Sequence, residues 1–172
     1  KNKKVGEKTV GVRFGNTDSS SIQLKAAQLG NRILKELFGI EGSFGSSIMW
    51  ASEESKRKVL YSEAFGLPDS AEQVSYNLFA NYGARWSPNY ENIIYTSHTD
   101  LGTAIMVQQV NPLRYKAVSI FPDACKASSP YWAPDGSIYL TIHVSEQNSD
   151  IIQYKLVGNP YSETRDLKQV RK

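Results

Sequence analysis

Within 172 residues, 40% hydrophobic against 22% charged residues excludes wholesale disorder and supplies apolar material for a sizeable core. The net charge of +3 sits at the ends, in Lys1, Lys3 and Lys4 and in Lys168, Arg171 and Lys172, so no nucleic-acid-binding face is expected. The single cysteine, Cys125, excludes an intrachain disulfide, and no apolar run approaches a bilayer span. A chain that opens on Lys1 without Met or an apolar leader is expected to be a processed or trimmed product.

Residues 9–15 are expected to form a short strand with Val10, Val12 and Phe14 on one face. Ser20 and Gln23 fit a capping box, after which Ile22, Ala26, Leu29, Ile33 and Leu37 recur at helical spacing. That stripe is the expected core face, with Lys25, Gln28, Asn31, Arg32 and Lys35 opposite it, and Gly39 is the expected left-handed stop. From Ser46 onward the pattern becomes β. Strands are expected over 47–52, 58–65, 73–79, 84–86, 92–97, 104–110, 115–121, 131–132, 137–144, 150–156 and 166–170, separated by Gly, Pro, Asn, Asp and Ser. So many short strands imply a sandwich, a barrel or a propeller.

An internal repeat chooses among these. Ala84-Arg85-Trp86-Ser87-Pro88 precedes Asn92-Ile93-Ile94-Tyr95-Thr96-Ser97-His98, and Pro130-Tyr131-Trp132-Ala133-Pro134-Asp135-Gly136 precedes Ser137-Ile138-Tyr139-Leu140-Thr141-Ile142-His143. The tryptophans are 46 positions apart (132 minus 86), and a four-stranded unit of forty-odd residues is one propeller blade. Trp86 and Trp132 are expected to fill the wedges between neighbouring sheets. Asp135-Gly136 suits a tight hairpin turn, and the prolines fit just beyond a strand, where no ladder donor is needed.

At these residues the sequence resembles the periplasmic TolB family, whose blades carry a Trp-Ser-Pro-Asp-Gly signature. Residues 26–44, ending in Leu37-Phe38-Gly39-Ile40-Glu41-Gly42-Ser43-Phe44, resemble the last helix of that family's α/β domain and the joint into its propeller. Ser47-Ile48-Met49-Trp50 resembles the strand that opens the first blade. The sequence departs from the pattern at Asn89-Tyr90-Glu91-Asn92, which replaces the Asp-Gly turn, and at Tyr139-Leu140-Thr141-Ile142, a loose version of the strand. The resemblance implies a mainly β chain: a partial β-propeller of about three four-stranded antiparallel blades over 43–172, preceded by a strand-helix remnant of an α/β domain over 1–42. The family has six blades, and its first takes an innermost strand from the far C-terminus. The chain is therefore expected to be a fragment, or a relative completed by other segments or copies.

Motifs for catalysis are missing: there is no Gly-x-Ser-x-Gly elbow, phosphate loop, His-Glu-x-x-His or Cys-x-x-Cys. His98 and His143 occupy equivalent strand-end positions, but two histidines without a third ligand do not make a closed metal site. Cys125 beside Lys126 is expected to be a passive thiol. No catalytic residue, metal or cofactor is therefore expected. Propellers present the loops that lead to their innermost strands around one mouth, here 79–83 and 122–129. Tyr82, Arg85, Lys126, Ser128 and Ser129 are the expected partner-binding residues. The resemblance implies a non-enzymatic periplasmic adaptor of the Tol–Pal envelope system, supporting outer-membrane integrity and cell division. Its expected partners are the peptidoglycan-associated lipoprotein (Pal), bound at that mouth, and TolA, to which no residue is assigned. The rival reading is the propeller of a prolyl-oligopeptidase-like serine hydrolase whose catalytic domain is absent from this chain. A third is a small module that closes by oligomerising.

Overall fold

Period-two alternation after Ser46 becomes three antiparallel sheets in the computed structural model, which describes residues 19–67, 69–114, 116–121, 126–145, 147–162 and 166–171. The expected strand over 9–15 and Cys125 lie outside the described residues. The chain divides into two compact units, one running to Ile48 and including Glu63–Ala71, the other made of Met49–Ser62 and Glu72–Lys172.

In the first unit, helix α1 (Ser19–Phe38) ends at Gly39, whose φ of 68 provides the left-handed stop. It starts one residue before the expected capping box. The expected core face is corrected. Ile22, Ile33 and Leu37 stand among the exposed large hydrophobics, and Ala27 is the buried position. Ala27, Gly30, Asn31 and Leu34 recur at steps of three, one and three, so they share one face. Hydrogen bonding fixes this rotation. Asn31 donates from Nδ2 to the Phe44 carbonyl at 2.8 Å, and its Oδ1 accepts the Phe44 N–H at 3.0 Å. Gly30 leaves room for the Phe44 ring, 3.4 Å from where a Cβ would stand. Phe44 in turn stacks on Phe65 with ring centroids 6.2 Å apart.

The first sheet has three strands in the order β1 (Ser47–Glu54), β2 (Arg57–Ala64), β3 (Glu72–Gln73). The boundary between the two units passes through β1 and β2. The next sheet is β4 (Ala80–Trp86), β5 (Asn92–Thr99), β6 (Gly102–Gln109), β7 (Val118–Ser119). The last is β8 (Ala127–Trp132), β9 (Ser137–His143), β10 (Ser149–Val157), β11 (Asp166–Arg171), hydrogen-bonded in chain order. Two sheets are thus four-stranded blades and the first has three strands.

The expected long strands over 73–79 and 115–121 shrink to two residues each. At the first, the Ser75 hydroxyl accepts the buried Leu60 N–H at 2.8 Å and so ends the ladder. Such short outer strands leave little edge to pair with strangers.

The core lies between the sheets. Leu60, Val74, Ile93 and Tyr95 form one cluster, with Trp86 against it. Ile94, Ile105 and Val107 face the other way and join Ala127, Ile138, Leu140, Ile152 and Tyr154, with Trp132 against them. The middle sheet is therefore covered on both faces, and each repeated tryptophan fills the wedge in front of its own sheet. Innermost β8 also packs across β4, β5 and β6 of the middle sheet. This is a partial β-propeller.

Candidate functional site

The two inner strands begin earlier than their alternation suggests. Residues 79–83 and 122–129 were expected as loops, but β4 starts at Ala80 and β8 at Ala127, so Tyr82, Ser128 and Ser129 are strand residues. Both strands are bulged, between Tyr82 and Arg85 and between Ser128 and Tyr131. A bulge admits one extra residue, breaks the alternation and re-aims side chains.

Register shows which residues come together. Ala80 is opposite His98, and the His143 N–H donates to the Lys126 carbonyl at 2.7 Å. Tyr82 pairs with Thr96 and Ser128 with Thr141, so His98 and His143 hold the same position, two residues beyond, in consecutive sheets. Ala80, Tyr82, Lys126, Ser128 and Ser129 thus share the propeller end that carries both histidines and the β5–β6 turn. Arg85 does not join them. It lies toward the other end of β4, next to Trp86, and its guanidinium donates to the Ala84 carbonyl at 2.9 Å.

One contact was not foreseen. Ser128 Oγ lies 3.0 Å from His143 Nε2, and His143 Nδ1 lies 2.8 Å from Ser149 Oγ. A hydroxyl on an imidazole is the opening geometry of nucleophilic catalysis. Here the third member is another hydroxyl, which lacks the charge that stabilises an imidazolium. His143 and Ser149 are also exposed, so water has free access. The chain of hydrogen bonds fixes the Ser128 and His143 side chains on the surface, which suits recognition. Among the described residues no three His, Cys, Asp or Glu side chains gather as metal ligands.

Beside this end, a recess of about 320 Å³ opens over the face of β5–β7 that looks toward the first sheet. Asn77 and Phe79 form one wall, Asp100 and Leu101 of the β5–β6 turn another, and Ala104 and Met106 its base. The Asn77 wall is held firmly. Asn77 and the buried Asn81 exchange amide hydrogen bonds at 3.0 and 2.6 Å, and Asn77 reaches Ser97 Oγ at 3.3 Å. Sequence reasoning missed this recess. Its one local signal is Leu101, a large apolar residue in the turn Thr99-Asp100-Leu101-Gly102.

At the opposite end, the Tyr161 hydroxyl donates to Asn92 Oδ1 at 2.8 Å, and the Arg114 guanidinium lies 5.2 Å from its ring centroid. Burial pushes the Tyr161 phenol up to about 12, against the opposing pull of Arg114. Burial also raises the Tyr95 phenol, with nearby Tyr161 adding to it.

The described blades and their inner-strand end define the class as a β-propeller protein. The fold is similar to TolB of Acinetobacter baumannii, with a TM-score of 0.68 at 21% identity over 88% of this chain and 36% of that one. It is also similar to a structure from Agrobacterium tumefaciens assigned as TolB, with a TM-score of 0.59 at 14% identity over 73% of this chain and 45% of that one. The chain therefore spans less than half the length of each of these two structures. No family model and no curated protein matches the sequence. No helix among the described residues is long and apolar enough to cross a membrane.

Proposed function

We propose that this chain is part of a TolB-type adaptor of the Gram-negative envelope that works in the periplasm by binding alone. Its partner would be a peptidoglycan-associated lipoprotein, docked on the propeller end around Tyr82, Lys126, Ser128 and Ser129. Supporting outer-membrane integrity and cell division would follow from that tether. In this reading α1 and the residues up to 42 close an α/β domain, and 43–172 are propeller. The observation that carries the reading is the likeness in fold to TolB of A. baumannii across 88% of the chain. The surface at that end suits the role, since rigid strands display hydroxyls, an aromatic and a cation, a composition common in recognition. TolA would be a second partner, with no residue assigned to it.

The test is a pull-down of the cognate lipoprotein by the immobilised chain at micromolar concentration and moderate salt. Retention that falls several-fold in Lys126→Glu supports docking at this end. Absence of retention by both this chain and a version extended to the length of the TolB structures removes the reading.

A further inference from the structure

We propose that the recess between residues 77–79 and the β5–β6 turn binds a lysine or arginine side chain presented by a partner polypeptide. Its aliphatic stem would lie over Phe79, Leu101 and Met106, with its cationic head at the Asp100 carboxylate. The recess holds about 320 Å³, at the small end of ligand sites, so it suits one long side chain and not a cofactor. Its walls are largely apolar, with Phe79, Ala104 and Met106 beside Leu101, which stands 72% exposed. Covering them removes apolar surface from water, which rewards an aliphatic stem.

Charge decides the head group. Asp100 lines the recess and is exposed, and it makes no ion pair among the described residues. The other polar groups there are already engaged. Ser97 Oγ accepts from Asn77, and Thr99 Oγ1 donates to the Gly102 carbonyl at 3.0 Å. A ligand is therefore asked for one thing besides apolar contact, a positive charge at Asp100. Lysine and arginine combine a long methylene stem with a cationic tip. Both walls are preset by hydrogen bonds, so little ordering cost attends binding.

Methionine-methyl NMR on the full chain reads this out. The sequence has two methionines. Met106 lines the recess and Met49 does not, so Met49 reports on the fold. The probes are the capped pentapeptide Gly-Ser-Lys-Ser-Gly, its arginine counterpart and its norleucine counterpart. The lysine and arginine peptides should shift the Met106 methyl at millimolar concentration and leave Met49 in place. The norleucine peptide should bind about threefold more weakly, and Asp100→Asn should weaken the lysine peptide about as much without affecting norleucine, the scale of one exposed ion pair. Equal response to lysine and norleucine, an inert Asp100→Asn, or no shift at Met106 would overturn the proposal. Either result leaves the lipoprotein pull-down unaffected, because the inference does not depend on which polypeptide brings the side chain.

Discussion

Gly83 and Ser129, 46 positions apart (129 minus 83), make the same backbone turn in consecutive inner strands, with φ of 66 and 50. Each sits within its strand's bulge, so the repeat conserves a left-handed residue that hydrophobic patterning does not display. One copy meets the requirement with glycine and the other with a serine that bears the steric cost. For L-residues that cost is roughly 1–2 kcal/mol. Ser129→Gly should therefore raise stability by about 0.5–1 kcal/mol, after the extra unfolded-state entropy of glycine is subtracted. Gly83→Ser should lower it by a similar amount, since a Cβ there meets nothing within 4 Å and only the backbone responds. Urea unfolding of both variants checks the pair, and a change of the same sign in both would refute the shared role.

A second prediction concerns the Asn31 clasp on Phe44 in the first unit. A Cβ at Gly42 would stand 2.2 Å from Asn31 Oδ1 and 2.7 Å from its Cα, so side chain and backbone would both have to move. Gly42→Ala should cost about 2 kcal/mol or more, as overpacking against backbone does. Asn31→Ala deletes two exposed hydrogen bonds and should cost about 1–2 kcal/mol. In both variants hydrogen exchange of the Phe44 amide should accelerate, while the amides of β5 keep their protection.

How far the fold could be read from sequence follows from which forces act locally. Trp86, Trp132 and the Asp135-Gly136 turn carry their meaning in their own side chains, so the blades and their spacing were legible. The turn after Trp86 was legible as a departure, and it is one residue longer. Ser87 N–H reaches the Asn92 carbonyl where Ala133 N–H reaches that of Ser137, and Tyr90 takes the left-handed place of Gly136. The helix rotation was not legible, because the hydrogen bonds that mark its packed face join Asn31 to Phe44, thirteen residues away. The starts of β4 and β8 were hidden by the bulges. At the candidate site, Ser128 and His143 are fifteen residues apart and meet only through the β8–β9 register. The recess depends on a non-local contact, the 77–79 segment lying over β6.

Alkaline pH should weaken the second unit. Tyr161 has its phenol raised to about 12 by burial, and burial raises Tyr95 as well. A group whose folded pKa lies above its unfolded value of about 10 stabilises the fold fully below pH 10. That contribution is lost as pH climbs toward 12, because the unfolded chain releases the proton first. Tyr161 is only about half buried, so its share is modest after solvent screening. The urea midpoint should stay flat from pH 7 to 9 and then fall. Tyr95→Phe should make the fall shallower, and an unchanged alkaline slope in that variant would place the titration elsewhere.

Thr96 offers a test in which removing a polar atom should help. It is fully buried in β5, and among the described residues its Oγ1 has no hydrogen-bond partner. In the unfolded chain that hydroxyl bonds to water, so folding strips it without repayment, a loss of about 1–3 kcal/mol. Valine has nearly the same shape and the same β-branch, which keeps the strand rotamer and leaves no cavity. Thr96→Val should therefore raise stability by about 1 kcal/mol, whereas Thr96→Ala should lose packing and gain nothing net. The neighbouring Ser97 is the control. Its hydroxyl accepts from Asn77 at 3.3 Å, so Ser97→Ala should destabilise, even though both residues are fully buried in the same strand. Denaturant midpoints for the three variants decide it, and a destabilised Thr96→Val would mean that the hydroxyl finds a partner after all.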